Sequence, residues 1–508
     1  MTTALPDWLD PLYDSAEMRA VDAWAIEERG VPSLDLMERA GSGLARVAAR
    51  LARAGGPIRI VVGKGNNGGD GLVAARLLRE DGHPVDVLAA AELSDLRGEA
   101  LANLDRLPGP APEPFAPGRL ERSAVVVDAL LGTGFEGAPR APVAQAIAAI
   151  NAQAAPVVAC DVPSGVNASS GEVDGEAVRA HATPTFHGPK LDLYVAPGKQ
   201  HAGRVETIRI GIPRAPAAPA VRAGLIAERV LSLFPRRAQS GSKFESGVVV
   251  IAGGSAGLTG APTMAAQAAS RAGAGYVQVA VPRPVQPALD MRLLEQMSRG
   301  LPDANGFHTP AGVAHVEEMA ERAGAVVLGP GLGRDEGALE FARGVARSVA
   351  VPLLVDADGL GAHAQRLELL AARDAPTLLT PHEGELGRLL GRPADEIARH
   401  RLACAREAAA RSGSVVLLKG DDTLVARPDG LVAVSPGGTP ALATAGTGDV
   451  LSGLVGALLA KGLGAFEAAS LGALAHVLAA QVAAERMGAD HVQAGDVIDS
   501  LPHGLTLR

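Results

Sequence analysis

Short apolar runs alternate with segments of helical periodicity along almost the whole chain, and this alternation limits the possible folds more than any other feature. The runs are rich in Val, Ile and Leu, without the apolar–polar alternation of a half-exposed strand. Strands of that kind occur in parallel sheets that helices cover on both faces. An α/β fold with a doubly wound parallel sheet is therefore predicted. Examples are "PIRIVVG", "HPVDVLAA", "SAVVVDALL", "APVVACDVPSG", "SGVVVIAGG" and "AGYVQVAVP".

The alternation occurs twice, which predicts two α/β domains in the 508 residues. A stretch with four prolines, "GIPRAPAAPAVRAG" at residues 211–224, separates the two parts and is predicted to be a stiff linker. We place the domains at residues 1–215 and 222–508. A second proline-rich stretch, at residues 107–118, is predicted to be a surface loop because strand patterns resume directly after it.

Two helices are predicted before the first β-rich run, in "SAEMRAVDAWAIEERG" and "SLDLMERAGSGLARVAARLARAG". In the second, apolar residues recur at helical spacing and predict a stripe that faces the core. This stripe consists of Leu34, Met37, Leu44, Val47 and Leu51.

Composition and charge restrict the class of function. The net charge is −9, which argues against general binding to nucleic acid or to anionic membranes. Cys160 and Cys404 are the two cysteines, so neither a disulfide framework nor a zinc cluster is expected. The first residues carry acidic groups and no apolar core of a signal peptide, and no uncharged apolar stretch reaches the roughly 18 residues of a spanning helix. A cytoplasmic enzyme that acts on small molecules is expected, and alanine-rich helices favour a homo-oligomer.

A glycine- and asparagine-rich turn follows the first strand of the first half. The sequence "VVGKGNNGGDG" at residues 61–71 leads into a helix that is predicted to begin near Asp70. Free backbone N–H groups at a helix start form an anion site, which the helix dipole strengthens. A tight turn without a ligand is the alternative, but Asn66, Asn67 and Lys64 add side-chain donors, acceptors and charge.

Two more strand ends of the first half carry an aspartate followed by a glycine-containing turn. They are Asp128 in "VVVDALLGTGFEG" and Asp161 in "VVACDVPSGVN". Since ligands of open α/β sheets bind beyond the carboxyl ends of the strands, we expect these segments to converge. Asn67, Asp128 and Ser164 offer hard oxygen ligands with little total charge, which suits a monovalent cation better than zinc.

These motifs resemble the epimerase domain of the NAD(P)H-hydrate repair enzymes. The resemblance covers roughly residues 10–213 and includes "GKGNNGGDGLVAARLL", "VDALLGTGFEG", "DVPSGVNASSG" and "TFHGPKLDLYVAPGKQHAGRV". It implies a Rossmann-like fold, a potassium ion held by Asn67, Asp128 and Ser164, and interconversion of the R and S hydrates of NADH or NADPH. Asp161 is the candidate for proton transfer at the hydrated carbon. The implied substrate contacts are Asn66, Asn67, Gly68, Gly69, Asp70, Gly132, Thr133, Gly134, Phe135, Glu136, Gly137, Ala138 and Asp161.

The second half contains a pattern that suits phosphoryl transfer. In "ALATAGTGDVLSGLVGALL", Gly446 and Gly448 open a helix whose N–H groups can bind a phosphate. Asp449 stands where a carboxylate can accept a proton from an attacking hydroxyl. A glycine-rich helix cap with Asp449 as the capping acid is the alternative. Three further glycine-containing strand exits, "VVLLKGDDT", "VVLGPGLG" and "LLTPHEGE", and a helix predicted to begin near Gly260 favour a site.

The second set of motifs is similar to the dehydratase domain of the same repair family, which has a ribokinase-like fold, over roughly residues 222–508. The resemblance implies that a phosphoryl group from ADP or ATP, with Mg²⁺, is transferred to the hydrate hydroxyl, so that phosphate leaves and NAD(P)H reforms. Asp449 is the implied catalytic base. The implied nucleotide contacts are Lys419, Gly420, Asp421, Asp422, Thr423 and Gly448, and the implied hydrate contacts are Ala261, Gly331, His382 and Asp449.

Three positions depart from the usual family pattern. Glu383 stands where proline is common, Thr439 where asparagine is common, and Asp192 where glycine is common. Two other functions stay open at this point. One is a ribokinase-class kinase of a small molecule fused to a nucleotide-binding regulatory domain, and the other is a nucleotide sensor or scaffold without turnover.

Overall fold

The computed structural model of the protein describes residues 5–52, 56–213 and 220–506. The chain forms two compact units, with Pro11–Gly224 in the first and Pro6–Asp10 together with Leu225–Arg508 in the second. Residues 214–219 of the predicted linker lie outside the described part. The predicted domain limits at residues 215 and 222 stay a prediction.

The first unit contains a seven-stranded sheet with the order β4-β3-β2-β5-β6-β7-β8. All of its strand pairs are parallel. The strand order reverses between β2 and β5, and at such a switch point a crevice opens beyond the carboxyl ends of the strands. The strands are β2 (Ile58–Val62), β3 (Val85–Ala89), β4 (Glu113–Pro114), β5 (Val125–Ala129), β6 (Val157–Ala159), β7 (Ala182–Phe186) and β8 (Arg204–Ile208). The stretch predicted as a surface loop at residues 107–118 thus contains β4, a two-residue edge strand.

Helices cover both faces of this sheet, as the fully apolar strands predict. Ile58, Ile60 and Val62 of β2 point into one buried cluster, and Val61 points into the other. The predicted stripe of the second helix is confirmed at Met37, Leu44 and Val47, which are buried, whereas Leu34 and Leu51 are half-buried. The helices are α1 (Ser15–Ala23), which continues as a π-helical turn at Trp24–Glu28, α2 (Ser33–Leu51), α3 (Asn66–Glu80), α4 (Gly98–Asp105), α5 (Val143–Asn151) and α6 (Lys199–Ala202).

The second unit is built on an eleven-stranded sheet with the order β1-β9-β20-β19-β18-β17-β16-β15-β10-β11-β12. Its pairs from β12 to β18 are parallel, whereas β18–β19 and β19–β20 are antiparallel. A separate hairpin pairs β13 with β14. The strands are β1 (Leu9–Leu12), β9 (Ala223–Ile226), β10 (Val248–Ala252), β11 (Tyr276–Pro282), β12 (Met297–Leu301), β13 (Asp303–Ala304), β14 (Phe307–His308), β15 (Ala325–Leu328), β16 (Leu353–Val355), β17 (Thr377–Leu379), β18 (Val415–Leu418), β19 (Leu424–Ala426) and β20 (Val432–Val434).

An N-terminal segment belongs to the second unit although it comes first in the sequence. Trp8 is buried, and its ring centroid lies 5.5 Å from that of Phe466. Arg229 pairs with Asp10 at 2.9 Å. Aromatic burial of this kind holds a short segment in place even without extensive secondary structure.

Twelve α-helices lie in the described part of the second unit, and the helix predicted to begin near Gly260 is confirmed. They are α7 (Gly260–Arg271), α8 (Gln286–Asp290), α9 (Val313–Ala320), α10 (Glu336–Ser348), α11 (Asp358–Gly361), α12 (Glu368–Ala371), α13 (Glu383–Leu390), α14 (Ala394–Arg399), α15 (Arg401–Ser412), α16 (Thr447–Ala460), α17 (Ala465–Met487) and α18 (Ala494–Gly504).

The helix α17 is long and apolar enough, by length and composition alone, to cross a membrane. However, 72% of its most apolar 18-residue window is buried inside the protein. The apolar surface of α17 is therefore used as the core of an α/β domain.

A glycine lets α16 pack closely on α7. A Cβ atom added to Gly453 would lie 2.0 Å from the carbonyl oxygen of Ala265, which no side-chain rearrangement can relieve. We expect G453A to lower the free energy of unfolding by about 1–3 kcal/mol through overpacking. The measurement is urea unfolding of the full chain.

Gly495 in α18 is the matched control, because a Cβ atom added there meets nothing within 4 Å. We expect G495A to leave stability unchanged or to raise it by about 0.4–1 kcal/mol, since alanine restricts the unfolded chain. Equal stabilities of the two variants would contradict the packing described for α16.

Candidate active sites

A cleft of about 1410 Å³ opens at the switch point of the first unit. This exceeds the roughly 300–1,000 Å³ of most small-molecule pockets, so a dinucleotide can be accommodated. Its wall includes the first turn of α3, the turn after β5 and the loops after β6 and β7. The predicted substrate residues that line the cleft are Asn66, Asn67, Asp70, Gly132, Thr133, Gly134, Phe135 and Asp161.

The remaining predicted substrate residues are outside the lining. Glu136, Gly137 and Ala138 continue the turn after β5, and Gly68 and Gly69 lie inside α3. The expectation that this helix begins near Asp70 is wrong, because α3 begins at Asn66. A Cβ atom on Gly68 would lie 2.1 Å from the carbonyl oxygen of Gly63, so this glycine serves the close approach of the helix to the end of β2.

The three oxygen-bearing side chains predicted to hold a cation converge behind the cleft. The Ser164 hydroxyl donates to Asp128 Oδ1 at 2.6 Å, and the Ser164 backbone N–H donates to Asp128 Oδ2 at 2.9 Å. Asn67 Nδ2 donates to the carbonyl oxygen of Leu131 at 2.7 Å. Burial raises the pKa of the Asp128 carboxyl to about 6, although the hydrogen bonds from Ser164 and Leu130 oppose that effect.

Asp161 lies in the cleft with a left-handed backbone, at φ +64°. Its Oδ1 atom accepts from the Phe186 backbone N–H at 2.8 Å and from the Thr185 hydroxyl at 3.1 Å. The same oxygen forms an ion pair with Lys190, whose side chain is 1% exposed. Lys190 also donates to the Phe186 carbonyl oxygen at 2.9 Å. One face of the Asp161 carboxylate is thus fully engaged by three donors.

Three more carboxyls surround this ion pair. Burial raises the pKa of Asp70 well above its usual range, and the negative charge of Asp161 adds to the effect. Burial also raises the pKa of Asp22, to about 6, although the nearby Lys190 charge opposes it. Asp192 is fully buried, and neither of its carboxylate oxygens makes a hydrogen bond of normal geometry to any residue that the structure describes. Burial raises the pKa of Asp192 well above its usual range, and the negative charge of Asp161 adds to the effect, so this departure from the family pattern places a buried carboxyl group near Lys190.

Sequence reasoning did not assign Lys190 or Asp22. Lys190 is part of the "TFHGPK" segment, where a lysine two residues after a strand-end turn was a usable signal. Asp22 lies in α1 without any motif around it. Its position in the cleft depends on how α1 packs, which the sequence does not reveal.

In the second unit, Asp449 occupies the first turn of α16, whose N-cap is Gly446 with a φ of +92°. Burial raises the pKa of the Asp449 carboxyl to about 7, Asp356 and Glu385 add to the shift, and Lys419 opposes it. A carboxylate with a pKa near neutrality is suited to accept a proton from a hydroxyl.

The positively charged Lys419 lies among these acidic side chains. Its Nζ atom lies 2.9 Å from Asp356 Oδ1 and 3.6 Å from Glu385 Oε2. The Ser452 hydroxyl donates to Asp356 Oδ2 at 2.6 Å. Burial would lower the pKa of Lys419, but the carboxylates of Asp356 and Glu385 outweigh it and the net shift is upward. Sequence reasoning did not assign Asp356, although it directly follows β16.

The predicted nucleotide loop after β18 is held by its own side chains. Asp421 Oδ1 accepts from the Gly438 N–H at 2.7 Å, and the Thr423 hydroxyl donates to the Gly420 carbonyl oxygen at 2.8 Å. Asp422 is buried and pairs with Arg401 at 3.0 Å. Because these side chains already have partners, the loop presents mainly its backbone to a ligand.

The predicted hydrate contacts lie in three other loops. Gly331 has a φ of +65°, and a Cβ atom on it would lie 3.3 Å from that of Ala261, so these two residues adjoin. His382 caps α13: its Nδ1 accepts from the Gly384 and Glu385 N–H groups at 3.0 and 3.4 Å. An accepting Nδ1 leaves the proton on Nε2 of the neutral ring.

The other two departures from the family pattern have local explanations. Glu383 Oε1 lies 2.5 Å from Arg401 Nη1, so the glutamate joins the Arg401–Asp422 pair. The Thr439 hydroxyl accepts from the Ala441 N–H at 3.4 Å at the start of a short helical turn. Both residues thus stabilise the loops in which they stand.

Comparison with known proteins places this chain in a family. A profile described as YjeF-related protein N-terminus matches residues 33–191, and one described as NAD(P)H-hydrate dehydratase matches residues 248–503. The bifunctional NAD(P)H-hydrate repair enzyme Nnr of Moorella thermoacetica is 42% identical over 518 residues, with 97% of this chain and 96% of the relative covered. The Nnr enzyme of Salinibacter ruber is 40% identical over 450 residues, with 83% and 82% covered.

Among solved structures, the ADP/ATP-dependent NAD(P)H-hydrate dehydratase of Bacillus subtilis, co-crystallised with ATP and Mg²⁺, is 28% identical. It covers 55% of this chain and 96% of its own, with a TM-score of 0.48. The predicted family and fold are confirmed by the sequence matches, which extend over both units. The chain belongs to the family of bifunctional NAD(P)H-hydrate repair enzymes.

Proposed function

We propose that the first unit interconverts the R and S hydrates of NADH and NADPH, and that the second unit dehydrates the S hydrate with ADP or ATP. The observation that carries this proposal is the same in both units. A lysine–aspartate ion pair lies at each site next to a glycine-rich helix start: the candidate carboxylate Asp161 belongs to the pair in the first unit, and Asp449 interacts with the pair in the second. The two reactions belong together, since the epimerase supplies the epimer that the dehydratase consumes.

In the first unit, the nicotinamide end of the substrate would lie beside Asp161, between the first turn of α3 and the turn Gly132–Ala138. The α3 N-terminus would hold a phosphate of the dinucleotide. Asp161 would place a fixed negative charge against the ring, because Lys190 and two further donors orient it. A preorganised charge of this kind stabilises a developing cation without reorganisation.

The residues Asn67, Asp128 and Ser164 would hold a potassium ion. This set of ligands suits potassium, because an amide oxygen, a carboxylate oxygen and a hydroxyl oxygen are hard ligands. Together they carry a single negative charge. The raised pKa of the buried Asp128 also fits, because a bound cation would stabilise the charged form of this carboxylate. When bound, the ion would fix the turns after β5 and β6 relative to α3.

In the second unit, Asp449 would accept the proton of the hydrate hydroxyl while that oxygen attacks the terminal phosphate of the nucleotide. The N–H groups of Thr447 and Gly448 at the start of α16 would stabilise the transferring group. Lys419 would add positive charge close to Asp449. Phosphorylation is needed because hydroxide is a poor leaving group. Phosphate leaves readily, and the electron pair of the ring nitrogen then forms a double bond to the ring carbon.

The nucleotide would lie along the loop Lys419–Thr423 and reach Gly448, and the hydrate would contact Ala261, Gly331, His382 and Asp449. Mg²⁺ would neutralise the nucleotide phosphates. The described residues contain no set of three acidic, histidine or cysteine side chains arranged as metal ligands. This fits Mg²⁺ that arrives with the nucleotide, since that ion is held largely by phosphates, water and one or two carboxylates.

We place the enzyme in the cytoplasm and expect a homo-oligomer that binds small molecules, with neither nucleic acid nor membrane as a partner. Cys160 and Cys404 are free and buried, as in a protein from a reducing compartment. The functional domains would be residues 1–215 and 222–508, with Pro6–Asp10 structurally part of the second unit.

The variant D161N tests the first unit. Asparagine keeps the shape of the side chain and tolerates the left-handed backbone of this position. We expect kcat for epimerisation to fall roughly 10²- to 10⁴-fold, while dehydration of pure S hydrate is unchanged. Both rates are followed by chromatographic separation of the epimers. An epimerisation rate equal to that of the wild type would overturn the role of Asp161.

The variant D449N tests the second unit. We expect dehydration to fall roughly 10²- to 10⁴-fold, with epimerisation intact. The wild-type dehydration rate should rise with pH through about 7, as Asp449 loses its proton. The measurement is recovery of NADH absorbance together with released phosphate.

The exposed Asp395, replaced in D395N, is the control for a simple loss of charge. A stable phosphorylated product in place of NADH and free phosphate would contradict dehydration. That result would instead indicate a kinase of the ribokinase class.

The variant D128N tests the potassium site. We expect about 10- to 100-fold weaker activation of epimerisation by K⁺, since an amide replaces the only charged ligand. Rates are measured against K⁺ concentration at constant ionic strength. The exposed Asp35, replaced in D35N, should behave as the wild type. The same K⁺ dependence in D128N and the wild type would remove Asp128 from the site.

A further inference from the structure

The geometry around Asp161 does not account for the proton transfer that epimerisation requires. Inversion at the hydrated carbon requires a group that first gives a proton and then takes one back. Asp161 Oδ1 already accepts from Thr185 and Phe186 and is paired with Lys190. These donors fix the negative charge on Asp161, which suits an electrostatic role better than a proton-carrying one.

Asp22 on α1 lines the same cleft as Asp161 and Lys190. It is half-buried, and within the ranges 5–52, 56–213 and 220–506 its carboxyl group makes no hydrogen bond or ion pair. An unpaired carboxyl that faces a ligand cleft from beside a charged pair is free to exchange a proton with a bound molecule. The charged or titratable groups that line the cleft with it are Arg19 on its own helix, Lys64, Asp70 on α3, Glu92, Asp95, Glu99 on α4, Asp161 and Lys190.

Asp70 is the competing carboxyl group, and its environment differs. Asp70 is buried in α3, whereas Asp22 is half-buried and more open to a molecule in the cleft, and burial raises the pKa of Asp70 well above its usual range. For Asp22, burial raises the pKa only to about 6, so both protonation states are accessible. Asp161 and Asp22 are neighbouring carboxyls in different environments. Such a difference is the usual basis for dividing the work between a charged group and a group that carries the proton.

We propose that Asp22 is the proton-transferring catalytic residue of the epimerase cleft and that Asp161, clamped by Lys190, is the fixed anion. This inference rests on the proposed function of the first unit and assigns a role that the family's substrate and potassium residues do not cover.

The step balances in atoms and electrons. Protonated Asp22 gives its proton to the hydroxyl on carbon 6 of the ring, the carbon–oxygen bond breaks, and water leaves. The electron pair of the adjacent ring nitrogen forms a double bond to that carbon, and Asp161 stabilises the resulting iminium ion. Water then adds to the opposite face and returns a proton to Asp22, which restores the starting state and inverts the centre.

The test uses the full-length protein with K⁺ and purified R hydrate, without ADP or ATP, so that dehydration is absent. We expect D22N to lower kcat roughly 10²- to 10⁴-fold after subtraction of the spontaneous rate, and D22E to recover part of it. The wild-type kcat should fall as pH rises through about 6, and this dependence should be absent in D22N. In water enriched in the heavy oxygen isotope, each inversion should introduce one labelled oxygen.

Glu27, in the π-helical turn that continues α1, provides the matched control because its side chain is exposed. The variant E27Q should keep the wild-type rate and pH profile. Circular dichroism and dehydration of S hydrate check that D22N is folded. If D22N does not fold, the wild-type profile decides, and a rate that is independent of pH on both sides of about 6 overturns the proposal.

The failure of this inference is distinguishable from failure of the proposed function. A wild-type protein that does not epimerise at all removes the proposed function of the first unit. An active wild type with an equally active D22N overturns only the role of Asp22. Retention of the original oxygen in labelled water overturns the bond-breaking step as written.

Discussion

Each unit depends on one lysine–aspartate ion pair at the carboxyl edge of a parallel sheet. In the first unit the pair is Asp161–Lys190, and in the second it is Asp356–Lys419. Removing one partner of a buried pair leaves an uncompensated charge and costs about 3–5 kcal/mol. The pair is nevertheless retained in a place where a hydrophobic pair would fill the space, which indicates a use beyond stability.

That use is electrostatic. The positive charge of each lysine opposes the burial penalty on neighbouring carboxyls, so that several of them can lie together within one site. Asp22 and Asp449 then have a pKa of about 6 and about 7, close to the pH at which such an enzyme must work. Burial raises the pKa of Asp192 well above its usual range, and the nearby Lys190 only partly opposes that effect. The pKa of each of these carboxyls is thus set mainly by burial, with the lysine opposing the rise and neighbouring carboxylates adding to it.

The parallel sheets explain why these residues meet. In a parallel sheet the carboxyl ends of all strands lie at one edge, so residues 36 positions apart, such as Asp128 and Ser164, become neighbours. Helices α3 and α16 begin at the same edges and add backbone N–H groups. Glycines in these two helices also serve packing, as Gly68 in the first turn of α3 and Gly453 in the middle of α16 show.

Individual residues show which features could be predicted from the sequence alone. The strand-end positions of Asp128 and Asp161, the helix start before Asp449 and the two-domain α/β architecture were readable, because period, length and turn residues are local properties. The start of α3 was misplaced, since glycines in a first helical turn look like a loop unless the neighbouring carbonyl of Gly63 is known. His382 and Asp422, taken as ligand contacts, have structural partners in a helix cap and in Arg401.

By itself, the sequence determined the fold class, the family and the two candidate active-site regions. Short local stretches of sequence are enough to identify each of these. Only the tertiary structure decided which side chains share charge and protons. Asp22 has no local signal, and although Lys190 and Asp356 follow strand ends, the roles of all three arise from distances of a few ångströms between segments far apart in the chain. Electrostatic energy depends on those distances and on burial, and neither is a property of a sequence window.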